Sequence, residues 1–581
     1  MRFISISDCR KLATTNFYSI FFRTSHFRIF AQAFFFACQK TGWISFHDGN
    51  IFAMELPKKL GIGGGALFFL GITFGWIAFP PLLKSQVGAA VKLKKGAEMR
   101  DVWSKLPIPL DFKVYLFNVT NPDEIKQGAK PIVHEIGPYF YDEWKEKVDL
   151  VDREEDDTVE YSQRITWIFN PAKSNGLTGN EELVFPHLLM LGIIMTTMRD
   201  KPAMIGLSAK AVDSIFKKPD NVFVKATAHD IIFGGLPIDC AVKDFAGTAI
   251  CSLLKENSDD LKVDGEDLYR FSLFGHKNGS LYEDRIRVKR GLKDVKDVGK
   301  VVEFKGEPRL SMWAEEGTCN EFNGTDSTIF HPYLFENEDV VSFSPDICRS
   351  MGARWDGTYT EVGGIKANHY TLSFGDMSTD PELKCFCPTE DTCLKKGLYD
   401  LFPCVNAPIV ASLPHLYDVD EMYLQQVDGL RPTKEEHQIS IDFEPITGTP
   451  MSAAKRLQFN MFIFPIDKVK TMKNFPTALL PLFWVEEGIT LGDEFLDQLR
   501  MVFKMMKIVG IIKWMMLVSG LGLGGAAAGL EYKKRQSEKK LDITKVTPQQ
   551  ASRTESGNEK KWPLNVSTLQ AAQVPPSLDR N

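Results

Sequence analysis

The chain lacks the short signatures of several common chemistries. No H-E-x-x-H, G-x-S-x-G or Walker A pattern occurs in its 581 residues, so zinc proteases, α/β-hydrolases and P-loop enzymes are not indicated. A triad assembled from distant residues would leave no such trace. Histidine is scarce, ten in all. His187, His331 and His415 each adjoin a proline and read as structural. There is no excess of positive charge either: 69 basic residues face 75 acidic ones, net −6. Nucleic acid is therefore not an expected partner. With 44% hydrophobic and 25% charged residues, bulk disorder and collagen-like repeats are excluded. The acidic run Glu154-Glu155-Asp156-Asp157 lacks the spaced ligands of a calcium loop and reads as a solvated turn. No metal or other cofactor is expected.

What is present is two long apolar runs. Leu60–Phe79 holds no charged residue, and twenty residues at about 1.5 Å each cover about 30 Å, the hydrocarbon thickness of a bilayer. Ile508–Leu530 is interrupted only by Lys513, close enough to one end to snorkel. Charge is distributed around these runs: net +5 over residues 1–59, net +4 over 531–581, and net −15 between. The positive-inside rule places both ends in the cytoplasm and the acidic middle outside. The expected organisation is a short cytoplasmic segment 54–59, a transmembrane helix 60–83, an ectodomain 84–507, a second transmembrane helix 508–530 and a disordered cytoplasmic tail 531–581. Gly71 and Gly75 in the first run, and Gly525 and Gly529 in the second, share helix faces that allow close backbone approach. Gly520, Gly522 and Gly525 match a dinucleotide-binding spacing, but inside a span and after no strand the match carries nothing.

Residues 1–53 contain 11 phenylalanines and two acidic residues. Arg23 and Arg28 break the apolar core that a signal peptide needs. Met54-Glu55-Leu56-Pro57-Lys58-Lys59 reads as a start just ahead of a signal-anchor. The first 53 residues are thus expected to be a non-native or disordered extension.

Eight of the ten cysteines lie between the spans, an even number in an exported domain, which implies disulfides without giving their connectivity. Asn118, Asn278 and Asn323 head N-x-[ST] sequons in the same region and are expected to be glycosylated. Alternating apolar residues at Tyr115, Phe117 and Val119, at Ile165, Trp167 and Phe169, and at Phe459, Met461 and Ile463 indicate strands. Glu181–Lys218 differs: it is apolar in a helical pattern, includes Leu188, Leu191, Ile194, Met195, Ile215 and Phe216, is broken by Pro186 and Pro202, and ends at Lys217-Lys218. On shape alone it reads as an ordinary core element.

Several segments carry a resemblance. Lys113-Val114-Tyr115-Leu116-Phe117-Asn118-Val119-Thr120-Asn121-Pro122, Glu135-Ile136-Gly137-Pro138-Tyr139, Ser412-Leu413-Pro414-His415 and Asp442-Phe443-Glu444-Pro445-Ile446-Thr447-Gly448 are similar to motifs of the class B scavenger receptors. The resemblance runs from about Met54 to about Tyr532. Within that family, Asp142-Glu143-Trp144-Lys145, Arg199-Asp200-Lys201-Pro202 and Pro481-Leu482-Phe483-Trp484 resemble the insect sensory neuron membrane proteins.

The resemblance implies an α+β membrane protein: two transmembrane helices flanking a large extracellular antiparallel β-barrel-like domain, with an apical helical bundle and an internal lipid tunnel. It implies the bridges Cys319–Cys385, Cys348–Cys404 and Cys387–Cys393. Cys240 and Cys251 fall outside that pattern and are either a local bridge, the favoured reading, or free thiols. It raises Leu188, Leu191, Ile194, Met195, Ile215, Phe216, Lys217 and Lys218 to candidate ligand-uptake residues at the apex. The implied function is that of a plasma-membrane receptor or co-receptor in olfactory neurons. It would bind lipid-derived pheromones or other long-chain lipids, received from solution or from a soluble odorant-binding protein, and pass them to an odorant receptor complex or the bilayer. The alternatives are general uptake of lipids, lipoproteins or carotenoids and, from another class, a membrane-anchored lipid-ester hydrolase. No enzyme activity is expected.

Overall fold

The computed structural model describes residues 55–256, 261–336, 338–387, 389 and 393–545. The expected extension 1–53, and the tail beyond residue 545, lie outside them. The chain forms two compact units. One contains residues 55–75 and 510–545 of those described, and the other is Trp76–Val509.

In the first unit the N-terminal helix, Leu56–Ile72, runs against the C-terminal helix, Asp493–Lys545. A Cβ on Gly64 would sit 2.8 Å from Gly520 O and from Gly524 N. A Cβ on Gly520 would sit 2.7 Å from Phe68 N. Only glycine allows these backbones to meet. Gly71 faces Met516 and Leu517, and Gly75 faces Lys513, whereas Gly525 and Gly529 have nothing within 4 Å. The four-residue spacing thus identified the contact face on the first helix and missed it on the second, where Gly520 makes the contact. Phe69, Val518 and Leu521 are each more than 60% exposed. Apolar faces of this extent need a lipid or protein environment. The helical stretches Leu56–Ala90 and Asp493–Leu541 are long and apolar enough to cross a membrane.

The second unit is built on a 13-stranded antiparallel sheet. Its main path comprises β1 (Leu110–Val119), β2 (Val133–Arg153), β3 (Thr158–Phe169), β4 (Ile286–Lys289), β5 (Val301–Phe304), β6 (Val340–Ser344), β7 (Arg349–Val362), β8 (Ile365–Leu372), β9 (Ile439–Glu444), β10 (Thr449–Ile463) and β11 (Ala478–Thr490). Their order in space is β5-β4-β3-β2-β1-β11-β10-β9-β8-β7-β6. The two edges are joined by one short segment: Thr325 bridges Lys300 beside β5 and Ser342 in β6. Gly324 makes this junction feasible. It has φ +79°, and a Cβ there would lie 2.0 Å from Val341 O. The sheet is thereby a nearly closed barrel, which removes the exposed strand edges of an open sheet.

The register divides the wall into two faces. Phe112 pairs with Glu487 and Tyr141, and Glu143 with Trp167. Lys455 pairs with Glu487, and Phe459 with Phe483. Directly opposed residues of antiparallel strands share a face. Phe112, Tyr141, Glu143, Lys145, Lys147, Trp167, Phe483, Glu487, Lys455 and Phe459 therefore all point inward.

A helical insertion follows β3. It consists of α1 (Leu188–Asp200) and α2 (Ile205–Ile215), enclosed between the paired strands Glu182–Pro186 and Phe223–Thr227, and then α3 (Phe245–Glu256). His187 caps α1, its Nδ1 accepting from Met190 N–H at 3.4 Å. Pro202 ends it, since the residue before proline disfavours helical backbone. One apolar cluster runs unbroken from Met190, Leu191 and Ile194 of these helices to Phe112, Trp167 and Phe483 of the barrel.

The acidic run forms the turn between β2 and β3 and is solvated at Glu154 and Glu155, as expected, but it also answers a buried cation. Arg290 is 2% exposed and bonds both oxygens of Glu154, at 2.8 and 2.9 Å, and Asp157 at 3.2 Å. Asp157 itself is buried. A guanidinium taken out of water needs carboxylates around it, and this run supplies them.

Candidate functional site

Inside the barrel, a layer of charge separates two apolar clusters. Along β2 the inward residues change from Tyr139 and Tyr141, in the cluster shared with the helices, to Glu143, Lys145 and Lys147. Along β3 they run from Tyr161, in a second cluster, through Gln163 to Ile165 and Trp167 in the first. β11 contributes Glu487 and β10 contributes Lys455.

Lys145 Nζ lies 2.5 Å from Glu487 Oε2 and 3.5 Å from Glu143 Oε2. Trp167 Nε1 donates to Glu143 Oε1 at 3.0 Å. Lys455 Nζ is 3.9 Å from Asp346. Lys147 Nζ donates to Trp103 O and Thr328 Oγ1, both at 3.0 Å, stands 3.8 Å from Asp326, and lies over the Trp103 ring at 4.6 Å. A cavity of about 40 Å³ beside Lys147, Tyr161, Gln163 and Asp326 has room for about two or three waters. Lys145 and Glu487 are enclosed by protein, yet keep 20% and 28% of their side-chain surface accessible.

Burial sets the protonation of this layer. It pushes the Glu143 carboxyl up to about 8, against the pull of Lys145. Burial would raise Glu487 too, but Lys145 and Lys455 outweigh it and lower this carboxyl to about 2. Lys145 is held charged by Glu143 and Glu487 despite its desolvation. Desolvation wins at Lys147 and lowers it, although Asp326 opposes the shift. Near neutral pH, Glu143 is therefore a proton donor beside an ionised Lys145–Glu487 pair.

The candidate uptake residues occupy different environments. Leu191 and Ile194 have no exposed surface, and Met195 and Ile215 are buried. Leu191, Ile194 and Met195 pack in the cluster shared with the barrel, and Ile215 in a separate one with Ile238, Cys240 and Cys251. Leu188 and Phe216 are half-buried, and the Phe216 ring meets His187 edge-on at 4.6 Å. Lys217 and Lys218 are exposed, both at φ +56°, and Lys217 Nζ pairs with Asp239 at 3.1 Å.

The cysteine sulfurs are brought together as Cys240–Cys251, Cys319–Cys385, Cys348–Cys404 and Cys387–Cys393. Cys240–Cys251 ties the middle of α3 back to the segment before the helix. Asn278 and Asn323 are exposed. Asn118 is half-buried in β1, and its Oδ1 accepts from Val184 N–H at 2.8 Å.

Sequence reasoning missed the charged layer altogether. The signal was there in Glu143, Lys145 and Lys147, charges at strand spacing within a segment whose inward face was otherwise aromatic. Charged residues in a strand are ordinarily assigned to the solvent side.

Residues 62–530 match the CD36 family. The chain is 59% identical over 525 residues to sensory neuron membrane protein 1 of Apis mellifera, covering 90% of this chain and 99% of that protein. It is 43% identical over 538 residues to the protein of the same name in Ostrinia nubilalis, with 90% and 99% covered. Against that of Manduca sexta it is 43% identical over 525 residues, with 89% and 98% covered. The chain belongs to the CD36 family, the class B scavenger receptors. It is a lipid-related membrane receptor with a large ectodomain.

Proposed function

We propose that this chain is a cell-surface co-receptor that takes up lipid-derived chemical signals and passes them through the barrel to an odorant receptor complex in a sensory neuron membrane. In this reading both termini are cytoplasmic, residues 84–507 are extracellular and 60–83 and 508–530 are the spans. The observation that carries it is the partly accessible Lys145–Glu487 pair on the inward face of the barrel wall, next to one continuous apolar cluster that the barrel shares with the helical insertion. The names of its relatives support the sensory setting.

The physical gain is large. Each buried CH₂ is worth about 0.8 kcal/mol, so a twelve-carbon chain gains roughly 10 kcal/mol on leaving water. No bond need be made or broken. A protein that offers a dry path delivers such a ligand faster than diffusion through water in which it is nearly insoluble. Leu188 and Phe216, half-buried at the ends of α1 and α2, would flank the point of uptake, with Lys217 and Lys218 beside them.

The test is made in cells expressing an odorant receptor tuned to a long-chain ester. Co-expression of the chain should raise sensitivity. Gln163→Trp, which fills the interior, should abolish that gain, whereas Ile168→Trp on the exposed outer face should keep it, both at normal surface levels. Equal responses for the two variants would contradict passage through the barrel.

A further inference from the structure

The C-terminal helix does not stop where its apolar run stops. It continues past Leu530 to Lys545. Lys533, Lys534, Arg535, Lys539 and Lys540 follow within ten residues of Leu530. The two carboxylates of that stretch are already engaged: Glu531 pairs with Arg535 at 3.3 Å, and Glu538 lies 4.0 Å from Lys534. Lys534 also pairs with Glu55, just ahead of the N-terminal helix. An α-helix turns about 100° per residue, so Lys533 and Lys540 share the face opposite Glu531 and Glu538, with Lys539 at its margin. All three lysines are exposed. Among the described residues no carboxylate pairs with Lys533 or Lys539. The helix thus sorts its charges, with the acids turned toward the N-terminal helix and a cationic face turned away from it.

We infer that Lys533, Lys539 and Lys540 form a docking face for the headgroup of a membrane phosphoinositide, a lipid that carries several phosphates on an inositol ring. The inference rests on the part of the proposed function that makes both termini cytoplasmic. Fixing that orientation needs only a few cations beside the apolar run, and Lys533, Lys534 and Arg535 supply them. Lys540 lies about 15 Å beyond Leu530 along the helix axis. That exceeds the Debye length of about 8–10 Å, within which a flat anionic leaflet attracts basic side chains. A headgroup held in the plane of the leaflet, such as phosphatidylserine, acts on the first cluster alone. A phosphorylated inositol ring stands out from the leaflet and reaches both clusters, and each lysine ammonium is a point-charge partner for one of its phosphates.

The experiment places the full-length chain in phosphatidylcholine nanodiscs doped with a diazirine-bearing phosphatidylinositol bisphosphate, phosphatidylserine or phosphatidylcholine. Photolabelling of the segment after Leu530 is followed as the mole fraction of probe rises. Half-maximal labelling should come at a mole fraction at least ~10-fold lower for the bisphosphate than for either other lipid. Each cation near a headgroup is worth about fivefold, so Lys533→Gln, Lys539→Gln and Lys540→Gln together should raise that mole fraction roughly 100-fold. Lys210→Gln, Lys243→Gln and Lys262→Gln remove the same charge from exposed positions of the other unit and should leave it unchanged. Equal labelling by the bisphosphate and phosphatidylserine, or no change in the first triple variant, overturns the site. Complete displacement by an equal concentration of soluble inositol trisphosphate overturns the choice of a lipid over a free inositol phosphate. A C-terminal tag reached by antibody in unpermeabilised cells contradicts the cytoplasmic topology, a failure registered separately from the nanodisc result.

Discussion

His415 donates through Nε2 to Oε2 of Glu135, 2.6 Å away and 280 residues distant in sequence. Its tautomer follows from the other ring nitrogen, since Nδ1 accepts from Arg431 N–H at 2.9 Å. Trp484 Nε1 donates to the same Glu135 oxygen at 2.5 Å, and its ring lies flat on Tyr115 with centroids 3.7 Å apart. The His415 and His437 rings stack at 4.5 Å. This pins the segment after Ser412 to the outer face of β1, β2 and β11. Glu135→Gln leaves Trp484 and His415 without a charged acceptor and should cost about 2–3 kcal/mol. Thermal unfolding of the purified chain checks it, with Glu124→Gln as the control.

Acid should destabilise this protein well above the carboxylate range. Burial holds both His187 and His437 down at about 4, and for His437 the neighbouring His415 adds to it. Unfolded, both rings take a proton near pH 6.5. The unfolded state therefore binds more protons between about pH 6.5 and 4, and stability declines as pH falls through that window. The loss approaches about 3 kcal/mol per histidine at pH 4. Glu135 adds a later loss: burial would raise it, but His415 and Trp484 keep it lowered, so its contribution disappears only as pH falls below the ordinary carboxylate value. Melting curves from pH 7.5 to 4.5 should show a steady drop, flattened by His187→Gln with His437→Gln.

The helix pairing in the first unit offers a sharp comparison. Gly64→Val would drive a side chain into Gly520 and Gly524, while Gly63→Val meets nothing within 4 Å. The first should lower stability in detergent by about 1–3 kcal/mol and the second should be neutral. A fluorescence melt of each variant decides it.

Removing cross-links should destabilise more for the longer loop, though only with the logarithm of its length. Cys240→Ser with Cys251→Ser opens a separation of 11 residues, and Cys319→Ser with Cys385→Ser one of 66. The chain-entropy expectation is about 3 and about 4 kcal/mol. Denaturant titration measures the costs, and non-reducing peptide mapping checks the pairings.

Much of this architecture is legible in the amino-acid sequence. The two apolar helices announced themselves by length and flanking lysines, because the bilayer imposes one thickness on every span. Strands at Tyr115–Val119 and Ile165–Phe169 showed the period that a two-faced wall demands. The helices at Leu188–Ile215 showed in their apolar spacing and in the prolines that bound them. What could not be read was which side of the wall each strand residue faces. Glu143 and Lys145 look like solvent residues in sequence and point inward only because β2 lies in register with β3 and β1. Closure of the barrel through Thr325 was equally hidden, since it joins strands far apart in sequence. The uptake residues show the opposite limit: Leu191 and Ile194 were rightly seen as apolar, but spacing does not tell a buried helix face from an open one.

Glycan mapping bears on sidedness. Asn278 and Asn323, exposed beside turns, should each carry a glycan, and Asn278→Gln and Asn323→Gln should each shift the mass by one. Asn118, bonded to Val184 within the sheet, should contribute less. Absence of any glycan at Asn278 and Asn323 in an expressing cell would argue against an extracellular barrel.

The central claim is that a long-chain ligand lies within the barrel. The most direct measurement is photolabelling of the full-length chain in membranes with a dodecyl acetate analogue bearing a diazirine at the end of its chain, followed by peptide sequencing. The account predicts adducts on inward residues such as Phe112, Trp167 and Phe459, lost when unlabelled dodecyl acetate competes. Adducts confined to the two apolar helices, or to outward residues such as Ile168, would contradict it.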